Sequence, residues 1–177
     1  MSTNDLINAG RATTEQALAL FDALEPVPVE FMLGPWKGEG FATDHPMDGL
    51  LEAYHWHGKR FESTEAVHPL VFSKLGGGLT ALNPAFMGPS LGLSSRVAMP
   101  KSVAAGRMFQ TFMPLMATTK SRARLRMTEY RGKSSATMVY DQLPINDVFR
   151  KVDDNTVFGV MDLKGMKQPF FFILRRE

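Results

Sequence analysis

The stretch FMLGPWKGEG, Phe31 to Gly40, marks the point at which the chain changes from helical to strand periodicity. Three glycines and a proline surround one tryptophan, Trp36, and from there onward apolar side chains tend to recur at every second position. Before it, residues 13–24 (TTEQALALFDAL) show helical spacing behind a capping box of Thr13 and Gln16, and the prolines of EPVPVE end the pattern. We therefore expect a packed helix followed by the first strand of a sheet.

Most of the remaining chain has the pattern of short strands joined by hairpin-length turns. The predicted strands are WKGEGF (36–41), GLLEAYHW (49–56), KRFESTEA (59–66), HPLVFSKL (68–75), SRARLRMTEY (121–130), SSATMVYD (134–141), VFRKV (148–152), TVFGVMDL (156–163) and PFFFILRR (169–176). Strands that follow one another in this way predict a mainly β fold, an antiparallel meander of about nine to ten strands. Such a meander tends to curl into a barrel or sandwich, because closure removes its edges.

The strand groups are separated by residues 76–119, which are rich in Gly, Pro and Met. Because a structureless loop of that length is improbable in a compact domain, part of it must pack. Residues 102–117 (SVAAGRMFQTFMPLMA) place Phe109, Phe112 and other apolar residues near helical spacing, with Pro114 as a kink or end. We expect one short helix or two, laid across the barrel or over its mouth, within a single domain made of a helical lead-in (5–25), two strand groups (30–75 and 120–177) and this insertion.

The composition excludes several classes of function. A chain of 177 residues that is 44% hydrophobic and 21% charged is typical of one globular domain. It has no cysteine, no apolar run of about 20 residues and no signal-peptide pattern at its start, so we expect a cytoplasmic protein without stable membrane insertion. The net charge is only +2, and Arg122, Arg124 and Arg126 alternate with apolar residues as on a solvated strand face, so we expect no nucleic-acid partner.

Several long segments resemble a known family. GPWKG, TDHPMDGLLEAYHWHGKRF and VHPLVF, followed by RARLRMTEYRGKSSATMVYDQLPINDVFRKVDDNTVFGVMDLKG, are similar to the bacterial GXWXG domain family and its companion C-terminal domain of unknown function. The resemblance covers residues 31–72 and 120–176 and implies no catalytic residues. The GxW opening also looks like that of the calycins, the lipocalin and fatty-acid-binding barrels, and WKGEG looks like the opening of nitrobindin-type haem barrels. These similarities imply a calycin-like barrel.

Trp36 has two interpretations. It can plug one end of the barrel, with Gly34 and Gly38 letting neighbouring backbone approach and Arg175 or Arg176 stacking on the indole. It can also line a ligand cavity. We favour the structural role and keep Trp36 as a candidate ligand-binding residue.

The segment YDQLPINDVFR places Asp141, Asp147 and Arg150 among apolar neighbours that include Tyr140. Buried carboxylates need partners, and we expect Asp147 and Arg150 to form an ion pair that fixes this corner. The alternative is a perturbed carboxylate that acts on a ligand.

All four histidines, His45, His55, His57 and His68, fall within 24 residues. Their positions in separate turns argue against a three-ligand metal site, so we predict no metal. A haem would need a single ligand, for which His68 is the candidate. Nitrobindin-like barrels take theirs from a C-terminal strand, and this chain has no histidine after His68.

These observations lead us to expect a binding protein, without a cofactor, that holds a lipid or fatty acyl type of ligand inside the barrel. The predicted ligand-binding residues are Trp36, Tyr140, Asp147, Arg150, Met138, Phe158, Phe109 and Phe112, and Val160, Phe171 and Ile173 are further predicted inward positions. The alternative is an isomerase or hydrolase that uses Asp141, Asp147 and Lys59, with Asp162 and Tyr140 also in the cavity. An exposed edge or the apolar insertion could support a homodimer.

Overall fold

The computed structural model describes residues 3–87 and 100–177, and part of the predicted insertion lies outside them. The described chain forms four α-helices, α1 (Thr3–Ala9), α2 (Thr14–Ala23), α3 (Leu50–Ala53) and α4 (Val103–Met116). Its strands are β1 (Glu25–Pro26), β2 (Gly34–Phe41), β3 (Trp56–Phe61), β4 (Val67–Ser73), β5 (Leu79–Ala81), β6 (Ala123–Tyr130), β7 (Lys133–Tyr140), β8 (Ile145–Asp153), β9 (Thr156–Leu163) and β10 (Phe170–Arg176). Short 3-10 turns cover Val29–Met32 and Pro84–Met87.

The strands form one antiparallel sheet that closes on itself, which confirms the predicted meander. Starting from β2, eight strands pair in chain order through β3, β4, β6, β7, β8, β9 and β10, and β10 pairs back with β2. Strands β1 and β5 add to β8 and β4. The ring is not a regular barrel, because β4 and β6 share a single residue pair, Val67 with Ala123.

Helix α4 packs beside this thin seam. The Gln110 amide donates to the Ser73 carbonyl, and the ring of Phe109 lies 5.2 Å from that of Phe72 on β4. Ser102 caps the helix, and Pro114 lies in its last turn, at the end that the sequence predicts. Phe112 points away from the body and is 55% exposed. In the described ranges, 3–87 and 100–177, no helix combines the length and apolar character needed to cross a membrane.

The predicted strand GLLEAYHW is wrong. Gly49 takes a left-handed conformation (φ +78°) that starts the short helix α3, and His55 (φ +60°) turns the chain so that β3 begins only at Trp56. Leu50, Leu51 and Tyr54 have the i, i+1, i+4 spacing of one helix face, whereas the adjacent Leu50 and Leu51 cannot share one face of a strand, so the periodicity favours the helix that the structure has.

Two apolar clusters lie on opposite faces of the sheet. One fills the inside of the ring, and the other joins the outer face of β2, β8, β9 and β10 to α1 and α2. The predicted inward positions Phe158, Val160, Phe171 and Ile173 belong to the outer cluster, so this prediction is wrong. The residues of β9 and β10 that face inward are Val157, Met161, Phe170, Phe172 and Leu174.

Trp36 is completely buried in the inner cluster. Its indole N–H donates to the Met32 carbonyl over 2.7 Å, and the Arg176 guanidinium lies 4.3 Å from the ring centroid, which confirms the predicted stacking. Gly38 serves a different ring than expected, because a Cβ there would collide with the six-membered ring of Trp56. The GPWKG stretch thus places Trp36 in the inner cluster and leaves room at Gly38 for the ring of Trp56 in the same cluster.

Candidate functional site

A small apolar cavity lies inside the ring. Its volume is about 60 Å³. The residues that line it come from β3, β4, β7, β8, β9 and β10 and from the segments around α3 and before β8: Met47, Leu51, Trp56, Lys59, Leu70, Tyr140, Leu143, Ile145, Asp147, Met161, Phe170 and Phe172. Met47, Leu51 and Leu143 are only partly buried, so they mark the side on which the cavity approaches solvent.

An irregularity in β3 places Lys59 in this cavity. The pairing of β3 with β4 shifts register on both sides of Gly58, as in a β-bulge. Gly58 has φ +153°, and a Cβ there would collide with the Trp36 carbonyl oxygen, so only glycine fits. Strict alternation from inward-facing Trp56 would turn Lys59 outward. The bulge instead puts it on the inner face.

Lys59 forms a buried ion pair with Asp147. The ammonium Nζ donates to Asp147 Oδ2 over 2.7 Å and to the Pro69 carbonyl over 3.2 Å, and the two side chains are only 4% and 2% exposed. Three aromatic rings surround the same nitrogen, with centroids at 5.1 Å (Phe172), 5.5 Å (Trp56) and 5.9 Å (Tyr140). The site is therefore built to hold a cation at Nζ.

The pair leaves hydrogen-bonding capacity unused. Among the residues that the structure describes, buried Asp147 Oδ1 has no hydrogen-bond partner, and neither has the indole N–H of Trp56, another lining residue. An ammonium carries three donors, of which two have protein partners here. Because buried polar groups are normally satisfied, a free acceptor and a free donor on residues that line the same cavity suit a ligand that bears a hydroxyl or carbonyl group.

Burial also perturbs the ionisable groups of the site. Desolvation raises the pKa of the Asp147 carboxyl, and the neighbouring Lys59 partly opposes that rise. Desolvation, together with the negative charge of Asp147, raises the pKa of the Tyr140 phenol well above its ordinary value. Tyr140 is thus a neutral phenol at physiological pH. Asp147 is a carboxylate that takes up a proton more readily than an exposed one.

The predicted ion pair of Asp147 with Arg150 is wrong. Arg150 lies three residues along β8 and so points to the opposite face, where its guanidinium packs 4.7 Å from the Phe21 ring centroid. It donates to the carbonyls of Tyr130 and Lys133. Burial lowers the pKa of Arg150, and no carboxylate is bonded to it in the described ranges. Arg150 anchors α2 and the β6–β7 turn, away from the cavity.

The other predicted ligand-binding residues are dispersed. Trp36 and Met138 are in the inner cluster but do not line the cavity, and Phe158 faces the helices outside the ring. Phe109 packs on Tyr54 and Phe72 beside the seam, and Phe112 is exposed. Of the predicted ligand-binding set, Tyr140 and Asp147 meet in the cavity.

Among the residues named for an enzyme, Lys59 joins Asp147, whereas Asp141 pairs with Arg124 at 3.3 Å on the surface. Asp162 does not line the cavity either. Arg124 and Arg126, which pairs with Glu65, occupy the exposed face predicted for the basic strand. The structure thus assembles one lysine, one carboxylate and one phenol from the enzyme hypothesis.

The four histidines lie apart. His45 contacts Met166 and Phe170, His57 lies 3.0 Å from Glu177, and His68 faces Glu62 at 3.5 Å. None of the four lines the cavity around Lys59, and His55 borders a separate surface hollow. Over residues 3–87 and 100–177, no group of three His or carboxylate side chains is placed to hold a metal ion.

Sequence reasoning missed most of the apolar lining. Leu143 and Ile145 lie in the segment YDQLPINDVFR, whose charged residues carry the sequence-based prediction. The alternation predicted for β10 is right, but it takes Phe171 and Ile173 as the inward residues, whereas Phe170 and Phe172 face the cavity. Gly58 was the available signal, because a glycine inside a strand pattern indicates a bulge. It would have indicated that Lys59 turns inward.

Two family models and one solved structure are similar to this chain. The model described as "GXWXG protein" matches residues 19–77, and that described as "Domain of unknown function (DUF4334)" matches residues 121–176. The crystal structure of a protein from Thermomonospora curvata is similar, with 31% identity, a TM-score of 0.71, and coverage of 98% of this chain and 95% of that one. A search of curated proteins found no match. The chain therefore belongs to the family defined by the GXWXG domain together with its companion DUF4334 domain.

Proposed function

We propose that the protein binds a compact, mostly apolar molecule in the cavity inside the ring, with the Lys59–Asp147 pair as its polar anchor. The observation that carries this proposal is Asp147 Oδ1, which is buried without a hydrogen-bond partner among the described residues and belongs to a side chain that lines the mostly apolar cavity. A ligand hydroxyl that donates to this oxygen would remove a cost of about 1–3 kcal/mol for an unsatisfied buried acceptor.

The cavity volume limits the size of the guest. A water molecule needs about 10–15 Å³ on the same scale, so a cavity of about 60 Å³ has room for a handful of heavy atoms. This supports a compact ligand in preference to the long fatty acyl chain expected from the sequence. Lipid binding stays a prediction that requires the cavity to widen at Leu143 and Leu51. We also propose a cytoplasmic location, which the lack of cysteine supports.

The experiment uses cyclopentanol as a compact probe with one hydroxyl, observed by saturation-transfer NMR. Leu143→Trp would fill the partly exposed side of the cavity, and Leu79→Trp adds the same bulk at an exposed position of β5 that does not line it. We expect transfer to the probe in wild type and Leu79→Trp and its loss in Leu143→Trp. No transfer in wild type, or equal transfer in both variants, would contradict the proposal.

A second candidate function is catalysis, and one observation favours it. Asp147, which lines the cavity, combines a raised pKa with an oxygen that has no hydrogen-bond partner among the described residues, next to the Lys59 ammonium. Such a carboxylate can accept a proton from a bound molecule, while the ammonium stabilises the negative charge that develops. Loss of turnover in Asp147→Asn with retained probe binding would support this candidate.

A further inference from the structure

We propose that Lys59 forms a reversible imine with small apolar aldehydes and ketones in the cavity. The inference rests on the proposed function and names the substrate class for the same site. In the described part of the chain, Lys59 is the one amine that lines the cavity. A carbonyl carbon bonded to Nζ would take its alkyl groups into the apolar space beside Leu70, Met161 and Phe172.

Asp147 supplies the proton acceptor that the reaction needs. An ammonium has no lone pair, so Lys59 must first give a proton to Asp147 Oδ2, 2.7 Å away. The neutral amine then adds to the carbonyl carbon, and one proton moves from the newly bonded nitrogen to the former carbonyl oxygen, which gives a neutral carbinolamine while Asp147 keeps its proton. Loss of its hydroxyl as water, protonated by the Asp147 carboxylic acid, leaves an iminium and a carboxylate. No oxidant, reductant or other co-reactant is required.

The surroundings of Nζ suit both ends of this reaction. Three aromatic rings and one carboxylate stabilise a positive charge at that atom, whether it belongs to an ammonium or to an iminium. Asp147 Oδ1, which has no hydrogen-bond partner within residues 3–87 and 100–177, can accept a hydrogen bond from the carbinolamine hydroxyl. Burial raises the pKa of Asp147, which lowers the cost of moving the proton from Lys59.

Surface lysines provide the internal comparison. Lys74 and Lys120 are exposed and are not cavity-lining residues. Reductive trapping of cyclopentanone with cyanoborohydride, followed by peptide mapping, should therefore modify Lys59 at least about tenfold faster than these two.

A second readout does not depend on entry of a reductant. Each cycle of imine formation and hydrolysis replaces the ketone oxygen with one from water, so wild-type protein should speed the loss of ¹⁸O from labelled cyclopentanone, measured by mass spectrometry. Lys59→Met removes the amine and should abolish the acceleration, and Asp147→Asn should slow it at least about tenfold. Circular dichroism would confirm that the variants fold.

The outcomes are distinguishable. One outcome would refute imine formation and leave the proposed binding function intact. In it, wild-type protein binds cyclopentanol, but the ketone oxygen does not exchange and Lys59 is not trapped. Failure to bind the alcohol together with failure of both ketone assays would overturn both proposals. Exchange that persists in folded Lys59→Met would assign the chemistry to surface lysines and also overturn the inference.

Discussion

The buried pair of Lys59 with Asp147 makes a quantitative prediction about stability. Lys59→Met keeps the length of the side chain and its contacts with the aromatic rings but removes the charge. Asp147 would then be a 2% exposed carboxylate that has lost its charged partner and retains no hydrogen bond among the described residues. The double variant Lys59→Met/Asp147→Leu removes both charges and replaces them with apolar groups of similar volume.

The magnitudes follow from this burial. Removing one partner of a buried pair costs about 3–5 kcal/mol, because the other charge is left uncompensated, whereas replacing both with apolar side chains is about neutral or stabilising. The coupling energy between the two positions should therefore be at least about 3 kcal/mol. That is a large share of the roughly 5–15 kcal/mol that stabilises a domain of this kind.

Urea unfolding at neutral pH, followed by tryptophan fluorescence, measures the free energy of unfolding of wild type, of the single variants Lys59→Met and Asp147→Leu, and of the double variant. The pH dependence supplies a second check. Because burial raises the pKa of Asp147 in the folded state, Lys59→Met should gain stability as the pH falls through that raised pKa towards the ordinary value for an aspartate. A single-variant cost below about 1 kcal/mol, or additive effects in the double variant, would refute a buried, charged pair.

Three further predictions concern the scaffold. Gly58→Ala should lower the free energy of unfolding in urea by at least about 3 kcal/mol, because the added Cβ collides with the Trp36 carbonyl. Gly132→Ala, at φ +76° in open space, should lower it by about 1 kcal/mol. Equal costs for the two variants would contradict the role of the bulge. Arg176→Ala should cost about 1–2 kcal/mol through its lost stacking on Trp36, and an unchanged midpoint would refute that contact. Burial lowers the pKa of His45 in the folded state, so the contribution of its neutral ring to stability is intact above a pH of about 6.5 and is lost as the pH falls towards the folded pKa. We expect His45→Asn to lose less stability than wild type between pH 7.5 and 5.5. An equal loss in the two proteins would contradict this prediction.

The fold could be predicted from the sequence where one structure alone satisfies the local pattern. The capping box of Thr13 with Gln16 and the alternation of β6 are of this kind. In β9 and β10 both faces are apolar, because the helices cover the outer face, so the sequence shows no alternation between apolar and polar residues there. Phe158 and Phe171 could therefore not be assigned a face from periodicity.

The site could be predicted less well than the fold, for a physical reason. Lys59 is turned inward by a bulge at Gly58, and its partner Asp147 lies 88 residues away, so local spacing favoured Arg150 instead. Opposite charges three residues apart suit a helix, but on a strand they point to opposite faces. The strand assignment itself argued against the ion pair that we predicted.

The occupancy of the cavity is the central claim, and methionine methyl NMR tests it most directly. Met47 and Met161 line the cavity, whereas Met108 and Met127 are exposed elsewhere. Titration of ¹³C-methyl-methionine-labelled protein with cyclopentanol should shift the Met47 and Met161 resonances in a saturable manner and leave Met108 and Met127 unchanged. Shifts confined to the exposed methionines, or no saturable shift at Met47 and Met161, would contradict a ligand site beside Lys59.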